Sequence, residues 1–238
     1  MKPLLTACWN NLVMLNFETD STILQPYLPA NTKIDLFNNK CFLSLVGFQF
    51  KDAKLKGLPV PFYLNFTQIN LRFYVQHYCG NECRKGVVFI KEIAEGNLLK
   101  AGAAMFYKEH YCNLSTKQVV ENNDRSIDVM YKWNYHHEWN YLHSIAAKEK
   151  KQPAKNSIEE FITDRYWGYT RIDKNKTAEF KVEHPVWNIH PLQSYKLHCN
   201  SKEIYGEALN TALSKEPASA FMVDGSFVKV YNKKLCTN

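Results

Sequence analysis

The chain has 238 residues, 45% of them hydrophobic and 14% aromatic, with a formal net charge of +7 at pH 7. This length and composition are those of a globular protein with a substantial core, and we expect one domain over residues 1–238. No run reaches the roughly 18 to 20 apolar residues of a membrane span, and Trp9, Asn10 and Asn11 interrupt the N-terminal apolar stretch, so we expect a cytoplasmic protein without a signal peptide.

Alternating apolar and polar residues predict mostly β-strands in the first half of the chain. The predicted strands are 12–19, 40–51, 65–78 and 84–95. Asp20 is expected to cap a short helix over 22–28, and 98–108 is the clearest helix. Gly80 and Asn81 are expected to form the turn of a hairpin between the third and fourth strands.

The second half continues this pattern. Its predicted strands are 111–120, 125–135, 138–147, 166–171 and 177–183, followed by a hairpin of 220–223 and 227–231. Ser157 and Glu160 have the spacing of a capping box at the start of a short helix, and a further helix is expected around 203–214. About ten strands with few helices predict a mainly β (α+β) fold, in which an antiparallel sheet is closed or folded on itself.

The seven cysteines are an odd number and are scattered through the chain, which favours reduced thiols over a disulfide framework. Cys79 and Cys83 form one Cys-x3-Cys pair at the predicted hairpin tip. Zinc there would need two further ligands, for which His77 and Cys112 are the evident candidates, and there is no second cysteine pair. We therefore expect no metal.

The densest basic run, 148–155, is interpreted as a solvated loop before a helix. No helix-turn-helix, RNP or zinc-finger pattern accompanies it, so we expect no nucleic-acid partner. The sequence also has no Gly-rich phosphate loop, Gly-x-Ser-x-Gly or His-Glu-x-x-His motif, which leaves nucleotide, serine-hydrolase and zincin chemistry without support.

The predicted strand GVVFIKEI, residues 86–93, carries Lys91 and Glu92 among apolar neighbours. A simple hairpin register places Asn70 opposite Glu92 and Arg72 diagonal to it, which predicts an Arg72–Glu92 ion pair completed by Asn70. This polar face is either a structural ion-pair network, or the solvent side of the sheet, or the wall of a pocket. In a pocket, Arg72 would bind a carboxylate or carbonyl group and Glu92 would act as acid or base.

Lys91 falls on the other, apolar face of this strand. A desolvated amine at that position could form a Schiff base, but a lysine there more often extends to the edge of the sheet. Both alternatives stay open.

The segment RYWGYTR places Trp167, Tyr169 and Arg171 on one face of a predicted strand. These side chains form either cation–π packing or a surface on which a ligand binds. His184, before Pro185, is either a structurally satisfied histidine or a general acid or base.

Several ordered motifs between about Trp9 and Tyr231 resemble the YqjF-like family, a domain of unknown function in the acetoacetate decarboxylase-like superfamily. They are LPANTKIDLFNNKCFLSLVGFQF, GLPVPFYLNFTQINLRFYV, RKGVVFIKEI, EEFITDRYWGYTR, TAEFKVEHPVW and PASAFMVDGSFVKV. The resemblance implies a mostly antiparallel, cone-like β-barrel with flanking helices around a largely apolar cavity. Gln68 stands where related sequences commonly have glutamate, so a mechanism that needs a carboxylate at this position is not supported.

The named enzyme of that superfamily uses a Schiff-base lysine, an arginine and glutamates, and the landmarks that match leave none of them in this chain. The arginine position falls near Asn10, and the glutamate positions fall near Phe42 and in 53–55. The lysine position falls near Leu98, two residues from Lys100. The resemblance therefore implies the fold without acetoacetate-type decarboxylation.

Together these observations predict a protein that binds or converts a small organic acid or carbonyl compound in an internal barrel pocket. The alternative is a non-catalytic barrel that senses a ligand or binds another protein, and homo-oligomerisation is left open. No cofactor is expected. The candidate catalytic residues are Glu92, His184 and Tyr169, and the candidate substrate-binding residues are Arg72, Asn70, Trp167 and Arg171.

Overall fold

The computed structural model of the protein describes residues 2–59, 65–96 and 111–236. The strands of the first half are β1 (Leu5–Thr19), β2 (Lys33–Ile34), β3 (Cys41–Leu55), β4 (Leu58–Pro59), β5 (Phe66–Cys79), β6 (Glu82–Ala94), β7 (Tyr111–Asn113) and β8 (Thr116–Asn122). Those of the second half are β9 (Ser126–Tyr135), β10 (Glu138–Ala147), β11 (Trp167–Arg171), β12 (Thr177–Glu183), β13 (Ile189–His198), β14 (Ser219–Val230) and β15 (Lys234–Leu235).

The helices of the described residues are short. They are α1 (Ser21–Leu24), α2 (Ile158–Thr163), α3 (Ser201–Tyr205) and α4 (Glu207–Leu213), with a 3-10 turn at Gln25–Tyr27. None of them is long and apolar enough to cross a membrane. The helix predicted over 98–108 lies outside the described residues.

Seven strands close into a ring, which confirms the mainly β, barrel-like fold. Their order is β12-β11-β6-β5-β3-β1-β14, and β14 pairs again with β12. Each of these pairings is antiparallel except that between β6 and β11. A second antiparallel sheet, β10-β9-β8, continues from β14 through β13.

The ring has an apolar core on each of its two faces, because successive side chains of a strand point in opposite directions. On β3, Phe42, Val46 and Phe48 belong to the core inside the ring. Leu43 and Leu45 belong to the outer core, which also includes residues of β9, β10, α3 and α4. The second sheet and two short helices therefore cover the outside of the barrel and leave its interior for a pocket.

The two helix caps that the sequence predicts are present. The Ser157 hydroxyl accepts a hydrogen bond from the Glu160 amide at 3.2 Å, and the Glu160 carboxylate accepts one from the Asn156 amide at 2.7 Å. The Asp20 carboxylate caps α1 through the Thr22 amide at 2.8 Å. The helix expected around 203–214 is divided in two at Gly206, whose φ of 89° breaks the helical path.

The predicted C-terminal hairpin is wrong, because 219–230 forms one bent strand that pairs with β1 along its length. Gly225 adopts a φ of 80° in the middle of β14, where a Cβ atom would lie 2.0 Å from the Trp9 carbonyl oxygen. The register to β1 is unbroken through this point, so the Asp-Gly-Ser segment continues the strand instead of making a turn. The strand predicted over 111–120 is likewise interrupted and forms β7 and β8.

The β5–β6 register follows the sequence prediction from Asn70–Glu92 to Leu71–Lys91 and then shifts at a β-bulge. Arg72 lies opposite Phe89, not Ile90. In residues 86–89, on the turn side of the bulge, each side chain of β6 points to the opposite face from the one that an unbroken register would give. Val87 and Phe89 therefore lie on the same side as Glu92, towards the barrel interior, and Val88 and Ile90 belong to the outer core.

Candidate functional site

The interior of the ring holds a pocket of about 1000 Å³, a volume that includes its solvent-open mouth. Most of its wall is apolar and aromatic, contributed by β1, β3, β6, β12 and β14. Polar side chains interrupt this wall, and those with ionisable or amide groups are Gln68, Asn70, Arg72, Glu92, Arg165, His184 and Lys233. Apolar walls with a few convergent polar groups are typical of small-molecule sites.

Arg72 extends from β5 into this pocket and is 8% exposed. Its guanidinium lies 5.7 Å from the Tyr74 ring centroid, and Nη2 lies 3.9 Å from Sδ of Met14. Nε is buried without a hydrogen-bond partner, and no described acidic residue forms an ion pair with Arg72. Oδ1 of Asn70, which lies two residues before Arg72 on the same face of β5, is also buried without a hydrogen-bond partner. A buried cation and a buried acceptor thus line the pocket with unused hydrogen-bonding capacity.

Glu92 does not pair with Arg72, and this sequence prediction is wrong. The carboxyl group instead accepts a 2.7 Å hydrogen bond from Nε2 of Gln68. The bulge after Leu71 changes the position of Arg72 relative to β6, and the Gln68 amide occupies the diagonal position. Burial raises the pKa of Glu92 to about 7, although Lys233 and the Gln68 hydrogen bond lower it. Near neutral pH this carboxyl group can therefore take up or release a proton.

Lys233 follows β14 and lines the same pocket. Its Nζ lies 5.5 Å from the Phe180 ring centroid. Burial lowers the pKa of Lys233 to about 8, while the nearby Glu92 raises it. At pH 7 this amine is mostly protonated, so it adds a second positive charge to that of Arg72.

Arg165, which follows α2, is the third basic residue of the pocket and differs from Arg72 in having an acidic partner. Nη1 of Arg165 lies 2.5 Å from Oδ2 of Asp35, and Nε donates to the Phe161 carbonyl oxygen at 2.7 Å. Its guanidinium stacks 4.1 Å from the Phe161 ring, and Nη2 is buried without a partner. Burial lowers the pKa of Arg165, and Asp35 opposes this effect. Because Asp35 neutralises Arg165, the remaining positive charge of the pocket comes from Arg72 and Lys233.

His184 lines the pocket through a ring that is stacked between aromatic neighbours. The Trp187 ring lies 3.9 Å away and the Tyr166 ring 4.7 Å away. Nδ1 lies 2.8 Å from the Pro185 carbonyl oxygen and Nε2 lies 3.2 Å from that of Arg165. Burial lowers the pKa of His184, against the raising effect of these carbonyl groups. Because a carbonyl group only accepts and a neutral imidazole has one N–H, only one of these two contacts is a hydrogen bond in the neutral form.

The other aromatic candidates lie mainly on the opposite side of β11. Trp167 contributes to the pocket wall, but its ring contacts the Arg84 guanidinium at 4.4 Å. Tyr169 is buried in the outer core, where burial raises the pKa of its hydroxyl group, and it does not line the pocket. Arg171 does not line the pocket either, and donates to the Leu28 carbonyl oxygen at 2.5 Å. The predicted common face exists, but it does not form one ligand surface with Arg72.

Lys91 also lies on the outer face, where its amine donates to the Ile204 carbonyl oxygen beside α3. Its Nζ is 5.8 Å from the Tyr205 ring centroid. Among the described residues, the lysine that lines the pocket is Lys233, which the sequence patterns do not single out. The only signal for it was the Lys233-Lys234 pair directly after an apolar strand.

Comparison with known proteins identifies relatives along nearly the whole chain. Residues 6–226 match the DUF2071 family, described as "Uncharacterized conserved protein". The uncharacterized protein YqjF of Bacillus subtilis (strain 168) is 25% identical over 186 residues, which cover 75% of this chain and 72% of YqjF.

Solved structures with the same fold include acetoacetate decarboxylase from Legionella pneumophila. It superposes with a TM-score of 0.66 at 11% identity and covers 99% of this chain and 87% of its own. The enduracididine biosynthesis enzyme MppR, complexed with the condensation product of pyruvate and imidazole 4-carboxaldehyde, gives a TM-score of 0.67 at 9% identity, over 99% of this chain and 90% of its own. At these identities the similarity concerns the acetoacetate decarboxylase-like fold.

Proposed function

The chain belongs to the DUF2071 family, and from this premise we propose that it binds a small carboxylate- or carbonyl-bearing molecule in the barrel pocket. The observation that carries the proposal is Arg72, a buried guanidinium that lines the pocket without a described ion-pair partner. An isolated buried charge is costly to the fold. A carboxylate would supply both the opposite charge and the paired acceptors that a guanidinium binds well.

The charge of the remaining polar wall supports an anionic ligand. Arg72 and Lys233 are both cationic near pH 7, and Arg165 is neutralised by Asp35. Glu92 is only partly ionised at that pH because burial raises its pKa to about 7. The pocket therefore has more positive than negative charge, and its size suits a small organic acid.

The fold relatives agree with this ligand class. Pyruvate is the ligand named in one MppR structure, and the Legionella enzyme is an acetoacetate decarboxylase. Both molecules combine a carboxylate with a carbonyl group. We infer a ligand of the same type here from the Arg72 site, and the relatives support its general size and charge.

If the protein is an enzyme, Glu92 is the best supported proton-transfer group among the three candidates. It faces the pocket, and its pKa of about 7 lies close to neutral pH. Both nitrogens of His184 lie against backbone carbonyl oxygens and not towards the ligand space, so we assign it a positioning role through its ring. Tyr169 would act only at a distance, because it lies in the outer core. Asn70 would orient the ligand through its unpartnered Oδ1, and Trp167 and Arg171 would support the wall from outside.

We further propose that the reaction, if any, differs from Schiff-base decarboxylation as the superfamily performs it. This proposal rests on the absence of the superfamily's residues near Asn10, near Phe42, in 53–55 and near Leu98, of which Leu98 lies outside the described residues, as does Lys100. We also propose that the protein is a single domain of the reducing cytoplasm; all seven cysteines are free thiols, which supports that compartment.

Calorimetric titration of the purified protein with pyruvate, acetoacetate and the neutral ketone acetone tests the proposal. We expect the two acids to bind and Arg72→Met to weaken them by about 30-fold or more, which corresponds to about 2 kcal/mol for a charge-assisted contact. Arg125→Met, at an exposed arginine, is the matched control and should leave binding unchanged. Acetone should bind weakly, with no dependence on Arg72.

Two results would contradict this function. Equal binding of the acids to the wild type and to Arg72→Met would remove the role of the guanidinium. Failure of the wild type to bind any of the acids would favour the alternative, a barrel that acts in protein interaction.

A further inference from the structure

We propose a second site, for a transition-metal dication of the zinc type, formed by His77, Glu179 and Cys236 on the outer side of the barrel. Their ligand atoms, one from each side chain, all lie within 4.8 Å of one another. His77 lies on β5, Glu179 on β12, and Cys236 directly after β15. None of the three lines the barrel pocket, so the site is separate from that of Arg72.

The His77 side chain is oriented as a metal ligand would be. Its Nδ1 lies 2.7 Å from the Asn31 carbonyl oxygen. Since a carbonyl group only accepts, Nδ1 must carry the hydrogen, which in a neutral imidazole leaves the lone pair on Nε2. Nε2 is buried without a hydrogen-bond partner, and the residue is 2% exposed. Metal-binding histidines characteristically donate their other ring N–H to a carbonyl or carboxylate, as His77 does.

Glu179 presents one oxygen to cations and the other to the proposed site. Its Oε1 accepts from Nη1 of Arg84 at 2.9 Å and lies 3.1 Å from Nζ of Lys234. Its Oε2 lies 3.7 Å from Sγ of Cys236. The two cations fix the rotamer through Oε1, while Oε2 accepts a hydrogen bond from the Cys236 thiol and becomes available to a metal ion when that thiol loses its proton.

Backbone pairing places Cys236 beside Glu179. Leu235 pairs with Ala178, and the Cys236 amide donates to the Thr177 carbonyl oxygen at 2.8 Å. The three ligands therefore come from strands that the barrel already holds together. This differs from the sequence interpretation, which considered zinc only with Cys79 and Cys83 at the hairpin tip.

The donor set determines which ion would bind. One imidazole nitrogen, one carboxylate oxygen and one thiolate sulfur suit Zn²⁺, with distances of about 2.0 to 2.3 Å and a fourth position open to water. Ligand atoms around such an ion are roughly 3 to 4 Å apart, so small side-chain rotations close the observed cluster. Binding would replace the thiol proton of Cys236, which is released to solvent.

A bound ion would also stabilise the C-terminal segment. Cys236 lies three residues after Lys233, whose amine lines the barrel pocket. The ion would join that segment to β5 and β12, which are both strands of the ring. We therefore expect metal binding to raise the melting temperature by mass action.

The test is titration of the chelator-treated full-length protein with Co²⁺, followed by competition with Zn²⁺. We expect one equivalent to bind, with the charge-transfer absorption of a Co²⁺–thiolate bond. Cys236→Ser should abolish this absorption and weaken Zn²⁺ binding by more than about 100-fold, because losing a residue that only supports a ligand already costs up to about 100-fold in metal affinity. His77→Gln should weaken Zn²⁺ similarly, and a circular dichroism spectrum checks that each variant is folded.

Cys83→Ser is the matched control, because this exposed thiol belongs to the hairpin of β5 and β6 but not to the cluster. It should keep the cobalt absorption and the Zn²⁺ affinity of the wild type. The proposal is wrong if the wild type gives no thiolate absorption, or if Cys83→Ser removes it and Cys236→Ser does not. Arg72→Met should bind the metal normally, so failure of the pocket proposal and failure of this one are distinguishable.

Discussion

Nε2 of Gln68 donates a 2.7 Å hydrogen bond to Oε1 of Glu92 inside the barrel. Because Asn70 is the residue directly opposite Glu92, the Gln68 amide reaches the carboxyl group from the diagonal position. The amide is neutral, so this contact brings no opposite charge to Glu92. Burial consequently dominates and raises the pKa of Glu92 to about 7.

This pKa predicts that the contribution of Glu92 to stability declines as pH rises. The ordinary pKa of the group is 4.5, so between that pH and about 7 the native protein holds a proton that the unfolded chain has released. The contribution of Glu92 to the free energy of unfolding is therefore largest below pH 4.5 and decreases as the pH rises from 4.5 to about 7. Over this pH range the free energy of unfolding of Glu92→Gln should therefore decrease by about 2 to 3 kcal/mol less than that of the wild type.

Urea unfolding at about pH 4.5 and about pH 8 measures the effect. The matched control is Glu149→Gln, because Glu149 is exposed and should keep the pH dependence of the wild type. If Glu92→Gln has the same pH dependence as the wild type, Glu92 is not a buried group with a raised pKa.

Removing the charge of Arg165 and removing that of Arg72 should have different effects on the free energy of unfolding. Arg165→Met would leave Asp35, which the structure buries against Arg165, without its partner. We expect a loss of about 3 to 5 kcal/mol in the free energy of unfolding. Arg72→Met removes a buried charge that has no described ion-pair partner, so it should be neutral or stabilising.

Denaturant unfolding of both variants in parallel provides the measurement, and each serves as the control for the other. This expectation differs from what the Arg72–Glu92 ion pair predicted from the sequence would imply, since loss of one partner of a buried pair is destabilising. A loss of several kcal/mol in Arg72→Met would restore the paired interpretation.

Strand positions were the part of the fold most accessible from the sequence, because alternation of side chains is a local property. The strand 138–147 was predicted with the bounds of β10, and 177–183 with those of β12. β13 was missed, since Pro191 and a run of polar residues hide its alternation. The ring itself depends on pairing between β12 and β14, which no local pattern encodes.

The pocket was less predictable because it depends on the bulge in β6. Nothing in GVVFIKEI marks Ile90 as the position where the register shifts, yet that shift moves Val87 and Phe89 to the interior and displaces Arg72 from Glu92. Lys233 reaches the pocket only through the path of the chain after β14. The sequence thus indicated three polar pocket residues of β5 and β6, namely Asn70, Arg72 and Glu92, but not their contacts.

Borohydride reduction in the presence of acetoacetate should leave every lysine unmodified. The Lys91 amine is bonded to the Ile204 carbonyl oxygen outside the pocket. Lys233 lines the pocket and is the stricter test, because a pKa of about 8 leaves a small fraction of free amine at pH 7. Peptide mass mapping after reduction at about pH 7 checks this, with Lys233→Met as the control for background labelling. A ligand-dependent adduct on Lys91, Lys100 or Lys233 would assign Schiff-base chemistry to that lysine.

Alanine substitutions at two glycines with positive φ should distinguish the cost of backbone strain from that of a steric clash. Gly206 has a φ of 89° and no atom within 4 Å of an added Cβ, so Gly206→Ala should cost only the conformational strain, about 1 to 3 kcal/mol. At Gly225, with a φ of 80°, an added Cβ would also lie 2.0 Å from the Trp9 carbonyl oxygen. Backbone of β1 would have to move, and we expect Gly225→Ala to cost about 3 kcal/mol or more.

The comparison also tests how β14 joins the barrel, because a Cβ added at Gly225 would press on Trp9 and Leu12, which both line the pocket. Movement of β1 at this point should shift both side chains, so Gly225→Ala should weaken pyruvate binding while Gly206→Ala leaves it unchanged. Thermal unfolding and calorimetric titration of the two variants provide the measurements. Equal losses of stability would mean that Gly225 occupies a turn with open space around it, as in the hairpin that the sequence predicted, instead of a strand position packed against β1.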